Sequence, residues 1–274
     1  MAQPPSSVFV GVSGASGAPY ALRLVEILAS QGCELKLSIS DTGLAVLKHE
    51  LGFVGTTRAT VTQSFLSRAH AEASTRVYAP DDLEAAVSSG SSFPDAAVIC
   101  PCSLSTVAHI ALGTTRTLLH RAGEVALKEG RPLVLVPRET PLSEVHLQRL
   151  LDARRAGAVV VPAMPAFYHR PQTVQDLIDH VVGKVMSALG LEQTLFEPWT
   201  GSPPEELVWS RTPEGDGPPW ADDSDGGDDA DATRDRDVGK RTNAASQANG
   251  TSVAGEANGT SAAPEADSRG ATRT

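Results

Sequence analysis

Five short runs rich in valine, leucine and isoleucine alternate along the chain with segments that show the 3.6-residue spacing of amphipathic helices. The runs are VFVGVSG from residue 8, ELKLSIS from 34, AAVICPC from 96, LVLVP from 133 and AVVVP from 158. The predicted helices lie within residues 20–32, 42–52, 104–113, 119–130, 142–157 and 174–190. Nearly continuous apolar strands alternating with helices are typical of a parallel sheet buried on both faces. The sequence therefore predicts a doubly wound α/β fold, a flavodoxin/Rossmann-like three-layer sandwich.

Composition divides the chain near residue 200. Residues 201–274 hold 15 acidic and 7 basic side chains, so they carry most of the formal net charge of −10, while residues 1–200 are close to neutral. The pentapeptide ANGTS occurs twice in this acidic segment. A segment with so few large apolar residues cannot offset its chain entropy by burial. We therefore expect one folded domain at 1–200 and a disordered, low-complexity acidic tail at 201–274.

Several classes of protein are disfavoured by the cysteine count and the distribution of apolar residues. The three cysteines, Cys33, Cys100 and Cys102, form no CxxC pair and no cluster with histidine, which argues against a disulfide scaffold and a zinc site. No apolar run reaches the length of a membrane span, and Met1–Ser7 is too short and polar for a signal peptide. We expect a cytoplasmic protein without a membrane or nucleic-acid partner.

The residues that follow each predicted strand outline a candidate site, because ligands of such sheets bind beyond the carboxyl ends of the strands. Serine hydroxyls follow the first three runs, at 13–17, 40–42 and 101–106. An arginine, a carboxylate and a tyrosine follow the last two, at 137–141 and 162–171. The pattern predicts a cleft with an anion-binding half and a catalytic half.

The turn after the first run, SGASGAP from residue 13, is compatible with several ligands. A dinucleotide turn needs G-x-G-x-x-G, but Ser13 stands where the second glycine should be. A nucleophile elbow needs G-x-S-x-G, but Ala18 replaces its last glycine and no Asp-then-His pair follows at later strand ends. A mononucleotide phosphate such as that of FMN fits better, held by Ser16, Ser40 and N–H groups at the N-terminus of the helix that begins near Pro19. Close helix–sheet packing is the structural alternative.

Arg138 and Glu139 lie between two prolines at the end of the fourth predicted strand. Adjacent charges usually form surface ion pairs of little consequence, but this position favours a role in the site. Glu139 is a candidate general acid or base, and Arg138 a candidate anion-binding residue. Tyr168 and Lys184 are weaker candidates, because a tyrosine between prolines often serves packing and a helix lysine is usually solvated.

Four segments carry a family resemblance: GASGAPYALRL, AVICPCS, GRPLVLVPRETPLSEVHLQRL and GAVVVPAMPAFYHRPQTVQDLIDHVVGKV. Together they resemble the UbiX-type flavin prenyltransferases, formerly described as aromatic-acid decarboxylases, over nearly all of residues 8–196. The resemblance implies a flavodoxin-like enzyme that joins a dimethylallyl group from dimethylallyl monophosphate to N5 and C6 of reduced FMN. It also implies large homo-oligomers, such as a dodecamer, with sites between subunits, and a UbiD-type decarboxylase that receives the prenylated FMN.

The resemblance also assigns roles to individual residues. FMN-binding positions are Gly14, Ala15, Ser16, Ser40, Ser103, Leu104, Ser105, Thr106 and Arg138. Catalytic positions are Glu139, Ser16 and Glu50, and positions that hold the prenyl phosphate are Tyr168, Lys184, Lys128 and Arg121. No metal is expected, because Asp81-Asp82-Leu83-Glu84 is not the DDxxD motif of magnesium-dependent prenyl transferases.

Two departures from the family pattern accompany these assignments. Arg116-Thr117 stands where relatives usually carry an Asn or Asp-Asn pair. Lys184 stands where many relatives have arginine; lysine keeps the positive charge but lacks the bidentate geometry of the guanidinium. The alternatives are an FMN-dependent enzyme of the cysteine-decarboxylase group, which resembles this chain less at PRETPL, and a non-catalytic flavin carrier. A carrier would keep Ser16 and Ser40 without needing Arg138, Glu139 and Lys128 together.

Overall fold

A computed structural model describes residues 4–199 and residue 201, and this part of the chain is built around a six-stranded parallel sheet. The strands are β1 (Ser7–Val12), β2 (Glu34–Ile39), β3 (Thr75–Tyr78), β4 (Ala96–Cys102), β5 (Leu133–Pro137) and β6 (Val159–Val160). Their order is β3-β2-β1-β4-β5-β6, and every neighbouring pair is parallel. Without the edge strand β3 this is the flavodoxin order. The predicted doubly wound α/β fold is confirmed, and the predicted tail lies, apart from Gly201, outside the described residues.

In the described residues six α-helices lie between strands, and a seventh follows β6. They are α1 (Ala18–Ser30), α2 (Asp41–Leu51), α3 (Arg58–Arg68), α4 (Leu104–Leu112), α5 (Leu118–Lys128), α6 (Glu144–Arg155) and α7 (Val174–Ala188). Hydroxyl groups mark most of their N-termini: Ser40, Thr57, Ser103, Thr117, Ser143 and Thr173 each accept a hydrogen bond from the third N–H of the helix that follows. Such caps satisfy donors that have no partner within the helix.

The helices cover the sheet in two layers, because alternate strand residues point to opposite faces. Val8, Val10 and Val12 of β1 pack with α1, α2, α3 and α7 in one apolar cluster. Phe9 of β1 packs with α4, α5 and α6 in a second cluster on the other face. Helices α5 and α7 therefore lie on opposite sides of the sheet.

The strand order reverses between β1 and β4, which are neighbours in the sheet although β2 and β3 separate them in sequence. The connection from β1 leads to β2 on one side, and the connection from β4 leads to β5 on the other. At such a point the loops after the two strands diverge and leave a crevice at the carboxyl edge. This is where the fold predicts a ligand site.

Candidate functional site

The loop Ser13–Gly17 after β1, called here the first loop, is attached to the end of β4 through Ser13. The Ser13 hydroxyl donates to the Pro101 carbonyl at 2.9 Å and accepts from the Ser103 N–H at 2.7 Å. Ser13 is buried, and its single hydroxyl proton is already used. The first serine of the loop is therefore a structural tie between two strand ends and has no donor left for a ligand.

Gly14 brings the first loop against the start of α2. A Cβ atom on Gly14 would lie 2.4 Å from Thr42 Oγ1, so only glycine fits this approach. Ser40 caps α2 by accepting from the Gly43 N–H at 3.0 Å, and its hydroxyl lies 3.2 Å from Thr42 Oγ1. Because Ser40 acts as an acceptor in the cap and one proton joins the two hydroxyls, the Ser40–Thr42 pair keeps one hydroxyl proton for a further acceptor.

Glu50 occupies the N-terminus of α1, where the sequence predicts a phosphate. Its Oε2 atom accepts from the N–H groups of Gly17 at 2.9 Å and Ala18 at 2.7 Å. The next residue, Pro19, has no N–H, and the Tyr20 N–H bonds the Gly17 carbonyl. The prediction that N–H groups at the start of this helix hold the phosphate is therefore wrong, because a carboxylate of the protein already satisfies them.

Ser16, Glu50 and Arg138 meet beside this capped helix. Arg138 Nε donates to the Ser16 carbonyl at 3.3 Å. Burial by itself would raise the pKa of the Glu50 carboxyl, but bonds from the Ser16 side chain and the Gly17 and Ala18 N–H groups, with Arg138 nearby, hold it below its ordinary value. Glu50 is thus an anion at neutral pH that fixes the first loop.

The backbone N–H groups that remain free lie in the first loop before Gly17 and at the start of α4. Within residues 4–199, the N–H groups of Gly14, Ala15 and Ser16 meet no acceptor. The first two N–H groups of α4, on Leu104 and Ser105, are likewise free of protein acceptors in the described part of the chain. Free N–H groups in a turn or at a helix N-terminus bind anions.

Ser103 and Thr106 complete this edge of the crevice. Ser103 caps α4 by accepting from the Thr106 N–H at 3.2 Å, and the two hydroxyls lie 3.0 Å apart. As with Ser40 and Thr42, capping uses acceptor capacity, and the bond between the two hydroxyls leaves one of their two protons free. The predicted FMN-binding positions on β1, β2 and β4 thus converge at one edge of the sheet, and their free donors suit the phosphate and polar edge of a flavin mononucleotide.

Glu139 follows Arg138 at the carboxyl end of β5 and is exposed. One of its carboxylate oxygens accepts from the Thr140 N–H at 3.1 Å. The other oxygen has no bond to any residue among 4–199. An exposed carboxylate beside a guanidinium that reaches the first loop is placed to exchange protons with a ligand in the crevice.

Tyr168 and Lys184 lie together in a group of rings called here the aromatic cluster, formed by Tyr168, His169, His180, Phe196 and Trp199. The Tyr168 hydroxyl lies 3.4 Å from His180 Nε2, and the Tyr168 and Trp199 ring centres are 5.8 Å apart. Lys184 Nζ lies 5.2 Å from the centre of the Phe196 ring. Both predicted phosphate-binding residues are therefore held on the face of the sheet that α7 covers.

Arg121 and Lys128 lie on α5, on the opposite face of the sheet. Arg121 Nε donates to the Ser88 carbonyl at 3.1 Å, and Lys128 pairs with Glu129 at the end of the helix that leads into β5. Within one chain the structure does not bring these two cations to Tyr168 and Lys184. Thr117, which belongs to the Arg116-Thr117 pair that departs from the family pattern, caps α5 by accepting from the His120 N–H. This threonine therefore has a structural role.

Three residues at the site were absent from the sequence-based set. Thr42 contacts the first loop, Tyr20 is half-buried near Arg138, and Arg58 of α3 donates to the Ile39 carbonyl and pairs with Asp41. Burial, then the nearby Cys100, raises the pKa of the Tyr20 phenol, while Arg138 lowers it. Arg58 and Tyr20 follow no strand directly, so the strand-end rule could not find them, whereas Thr42 lay within the 40–42 stretch and could have been included.

Three further findings concern the described residues only. In residues 4–199 no group of three or more His, Cys, Asp or Glu side chains is arranged to hold a metal ion. None of the seven helices is long and apolar enough to span a bilayer. The three cysteines are free and buried.

Comparison with known proteins places the chain in a family. A profile of the Flavoprotein family matches residues 2–186. The flavin prenyltransferase UbiX of Pseudomonas aeruginosa is 42% identical over 197 residues, which cover 71% of this chain and 94% of that protein.

Two solved structures share the fold over the same region. AnUbiX (PadA1), crystallised in complex with FMN and dimethylallyl pyrophosphate, is 36% identical with a TM-score of 0.64, covering 73% of this chain and 100% of that chain. A dodecameric FMN-dependent UbiX-like decarboxylase from Escherichia coli O157:H7 is 38% identical with a TM-score of 0.63, covering 71% of this chain and 100% of that chain.

Proposed function

Because the chain belongs to the UbiX flavin prenyltransferases, within the Flavoprotein family, we propose that it transfers a dimethylallyl group from a dimethylallyl phosphate to reduced FMN. The observation that carries the proposal is the set of free N–H groups in the first loop, which lie beside Glu50 and Arg138 at the carboxyl edge of the sheet. A simple flavin carrier would not need an exposed carboxylate at Glu139 next to Arg138.

The first loop and the start of α4 would hold FMN. The N–H groups of Gly14, Ala15 and Ser16 would bind its phosphate, with Ser40 and the Ser103–Thr106 turn supplying hydroxyl protons and Leu104 and Ser105 supplying N–H groups. Arg138, anchored on the Ser16 carbonyl, would face the flavin. When bound, reduced FMN supplies the nucleophilic N5 and C6 positions.

Tyr168 and Lys184 would bind the phosphate of the prenyl donor. The allylic C–O bond breaks, the phosphate leaves with the bonding electron pair, and donors aimed at its oxygens stabilise the developing charge. We propose that Arg121 and Lys128 of a neighbouring subunit complete this set. Their position across the sheet from α7 and the dodecameric state of the related Escherichia coli protein support an oligomeric site.

Glu139 would move protons during ring closure, giving them to the prenyl unit or taking them from the flavin ring, with the departed phosphate as its partner. Ser16, which lies next to the Glu50 carboxylate, would orient the reacting edge of the flavin. Glu50 itself serves chemistry indirectly, because its charge holds the first loop in place.

Two wider parts of the proposal concern the cell. A UbiD-type decarboxylase would receive the prenylated FMN. We place the protein in the cytoplasm, where three free buried cysteines are the ordinary state of thiols.

The test is incubation of the purified protein with reduced FMN and either dimethylallyl monophosphate or dimethylallyl pyrophosphate, followed by chromatography of the extracted flavin. We expect a new flavin species with at least one donor, and the two arms identify which phosphate leaves. Glu139→Gln should bind FMN as tightly as the native protein and slow adduct formation by about 100-fold. Bound FMN that stays unmodified with both donors would contradict the proposal.

A further inference from the structure

We propose that His180 is a positioning residue that orients the Tyr168 hydroxyl toward the phosphate of the prenyl donor, an inference that rests on the proposed transfer reaction. His180 lies on α7, is 4% exposed, and places Nε2 3.4 Å from the Tyr168 hydroxyl. Tyr168 itself is 40% exposed. A buried ring thus holds the polar end of a side chain that is open to a ligand.

The hydrogen bonds of His180 define its tautomer. The backbone N–H of Ala166 donates to His180 Nδ1 at 3.4 Å, so Nδ1 is an acceptor. A neutral imidazole has one donor and one acceptor nitrogen, and the proton therefore lies on Nε2. Nε2–H donates to the Tyr168 oxygen, which leaves the proton of that hydroxyl for another acceptor. A phosphate oxygen is such an acceptor.

The surroundings of His180 keep it neutral. Burial, and then the neighbouring His169 and Lys184, lower the pKa of the His180 ring. Besides these two, the ring faces Tyr168, and Phe196 covers one side of it. A second ring proton would place a donor on Nδ1 against the Ala166 N–H, which is itself a donor.

Neighbouring rings and two hydrogen bonds restrain the His180 ring. The His169 ring stacks on it, with ring centres 5.0 Å apart and planes 6° apart, and the Phe196 ring packs against it at an interplanar angle of 40°, with ring centres 4.8 Å apart. Phe196 can approach because Gly183 follows on the helix: a Cβ atom there would lie 2.6 Å from the Phe196 ring. A ring that contacts two other rings and is bonded through both nitrogens has its orientation restrained.

Lys184 lies one helical turn after His180, so both project from the same face of α7. The donor that His180 orients and the cation of Lys184 are therefore presented together. His169 offers a matched control, because it stacks on the same ring but neither of its nitrogens has a hydrogen-bond partner in the described residues.

The first test compares His180→Phe with His169→Phe, both of which keep a stacked ring. Loss of a single hydrogen bond predicts that His180→Phe lowers kcat/KM for the prenyl donor about 3- to 10-fold, mainly through KM, while His169→Phe changes it less than twofold. His180→Gln, which keeps an N–H near Tyr168, should recover part of the loss. Equal effects of the two Phe variants would overturn the inference.

A double-mutant cycle with Tyr168→Phe distinguishes an effect of His180 on the Tyr168 hydroxyl from an effect on the packing of the aromatic cluster. If His180 acts through Tyr168, His180→Phe should not lower kcat/KM for the prenyl donor any further in a protein that already carries Tyr168→Phe. Additive losses in Tyr168→Phe/His180→Phe would show a role in packing and overturn the inference.

The second test does not depend on catalysis. In the full-length protein labelled with ¹⁵N-histidine and without added FMN, His180 should show a protonated Nε2 and an unprotonated Nδ1. Tyr168→Phe should shift the Nε2 resonance of His180 and leave that of His109 unchanged. An Nδ1–H tautomer, or no response to Tyr168→Phe, would overturn the inference even if the wild-type protein forms no flavin adduct, which would instead contradict the proposed function.

Discussion

The serines at the strand ends differ in what their hydroxyl groups already bond. Ser13 donates its proton to the Pro101 carbonyl. Ser40 and Ser103 act as acceptors in helix caps, and each shares a hydrogen bond with a threonine hydroxyl, so that one proton of each hydroxyl pair stays free. All three stand in equivalent sequence positions after apolar strands. A hydroxyl that follows a strand is therefore available to a ligand only when its proton is not used by the fold.

Ser13→Ala should destabilise the protein, because it leaves the part-buried Ser103 N–H without its acceptor and removes the hydroxyl bond to the Pro101 carbonyl, which keeps only the bond from the Ser13 backbone N–H. The expected loss is about 1–3 kcal/mol in the free energy of unfolding. Ser38→Ala is the matched control, since Ser38 is fully buried but its hydroxyl has no partner within the described residues. Chemical denaturation of both variants should show a loss for Ser13→Ala only, and equal losses would contradict the tie between β1 and β4.

Glu50→Gln should lower stability near neutral pH, because it removes the charge that caps α1 beside Arg138. A cap is worth about 1 kcal/mol, and a loss of that size lowers Tm by about 2–4 °C in a domain of this size. Because the folded pKa of Glu50 is depressed, its contribution is complete above the unfolded value of about 4.3 and is lost as pH falls through the folded value.

The Tm difference between wild type and Glu50→Gln should therefore be constant around pH 7 and shrink below about pH 4. Glu139→Gln is the control, since Glu139 is exposed and bonds only the Thr140 N–H among residues 4–199. A Tm difference between wild type and Glu50→Gln that grows as the pH falls would contradict the role of the Glu50 carboxylate as the cap of α1.

Among the elements of the described residues, the sequence predicted the strands with buried apolar side chains and missed the short edge strand β3. Five strands, six helices and the family were predicted and are confirmed. Strand β3 was missed because this short edge strand exposes Arg76 and Val77, and α3 because it has few apolar residues. The capping role of Glu50 could not be predicted, because more than 30 residues separate it from the N–H groups it bonds.

Gly14 sets the distance between the first loop and α2, so Gly14→Ala should push them apart. The added Cβ would meet Thr42 Oγ1 and Cβ at 2.4 and 2.5 Å. We expect FMN affinity, measured by flavin fluorescence, to fall about tenfold or more, since binding geometry is sensitive to shifts of this size. Thr42→Gly removes both clashing atoms and should restore affinity in the double variant. A double variant as weak as Gly14→Ala would contradict this contact as the cause.

At the scale of the whole molecule, the sheet separates two halves of the predicted phosphate set. Arg121 and Lys128 lie with α5 on one face, and Tyr168 and Lys184 with α7 on the other. Sequence could not show this, because neither composition nor spacing indicates which face of a sheet a crossover helix covers. If one site needs all four, it must combine two subunits.

Mixed oligomers test this arrangement. Lys128→Ala and Tyr168→Phe should each lose most of their transfer activity when made alone. If one subunit supplies Lys128 and its neighbour supplies Tyr168, random co-assembly should leave roughly a quarter of the sites with both native residues. Recovered activity of that order is the expected result. Co-assembled protein no more active than the two separate variants would contradict a shared site.

If the residues at the carboxyl edge of the sheet transfer a prenyl group to FMN, the mass of the extracted flavin must increase by that group. Wild-type protein is incubated with reduced FMN and dimethylallyl phosphate in which all five prenyl carbons are ¹³C, and the extracted flavin is compared with that from unlabelled donor. We expect a flavin that carries one five-carbon unit with the full label, together with an equal amount of released phosphate. Unmodified FMN, under conditions where the protein binds it, would contradict the proposed prenyl transfer.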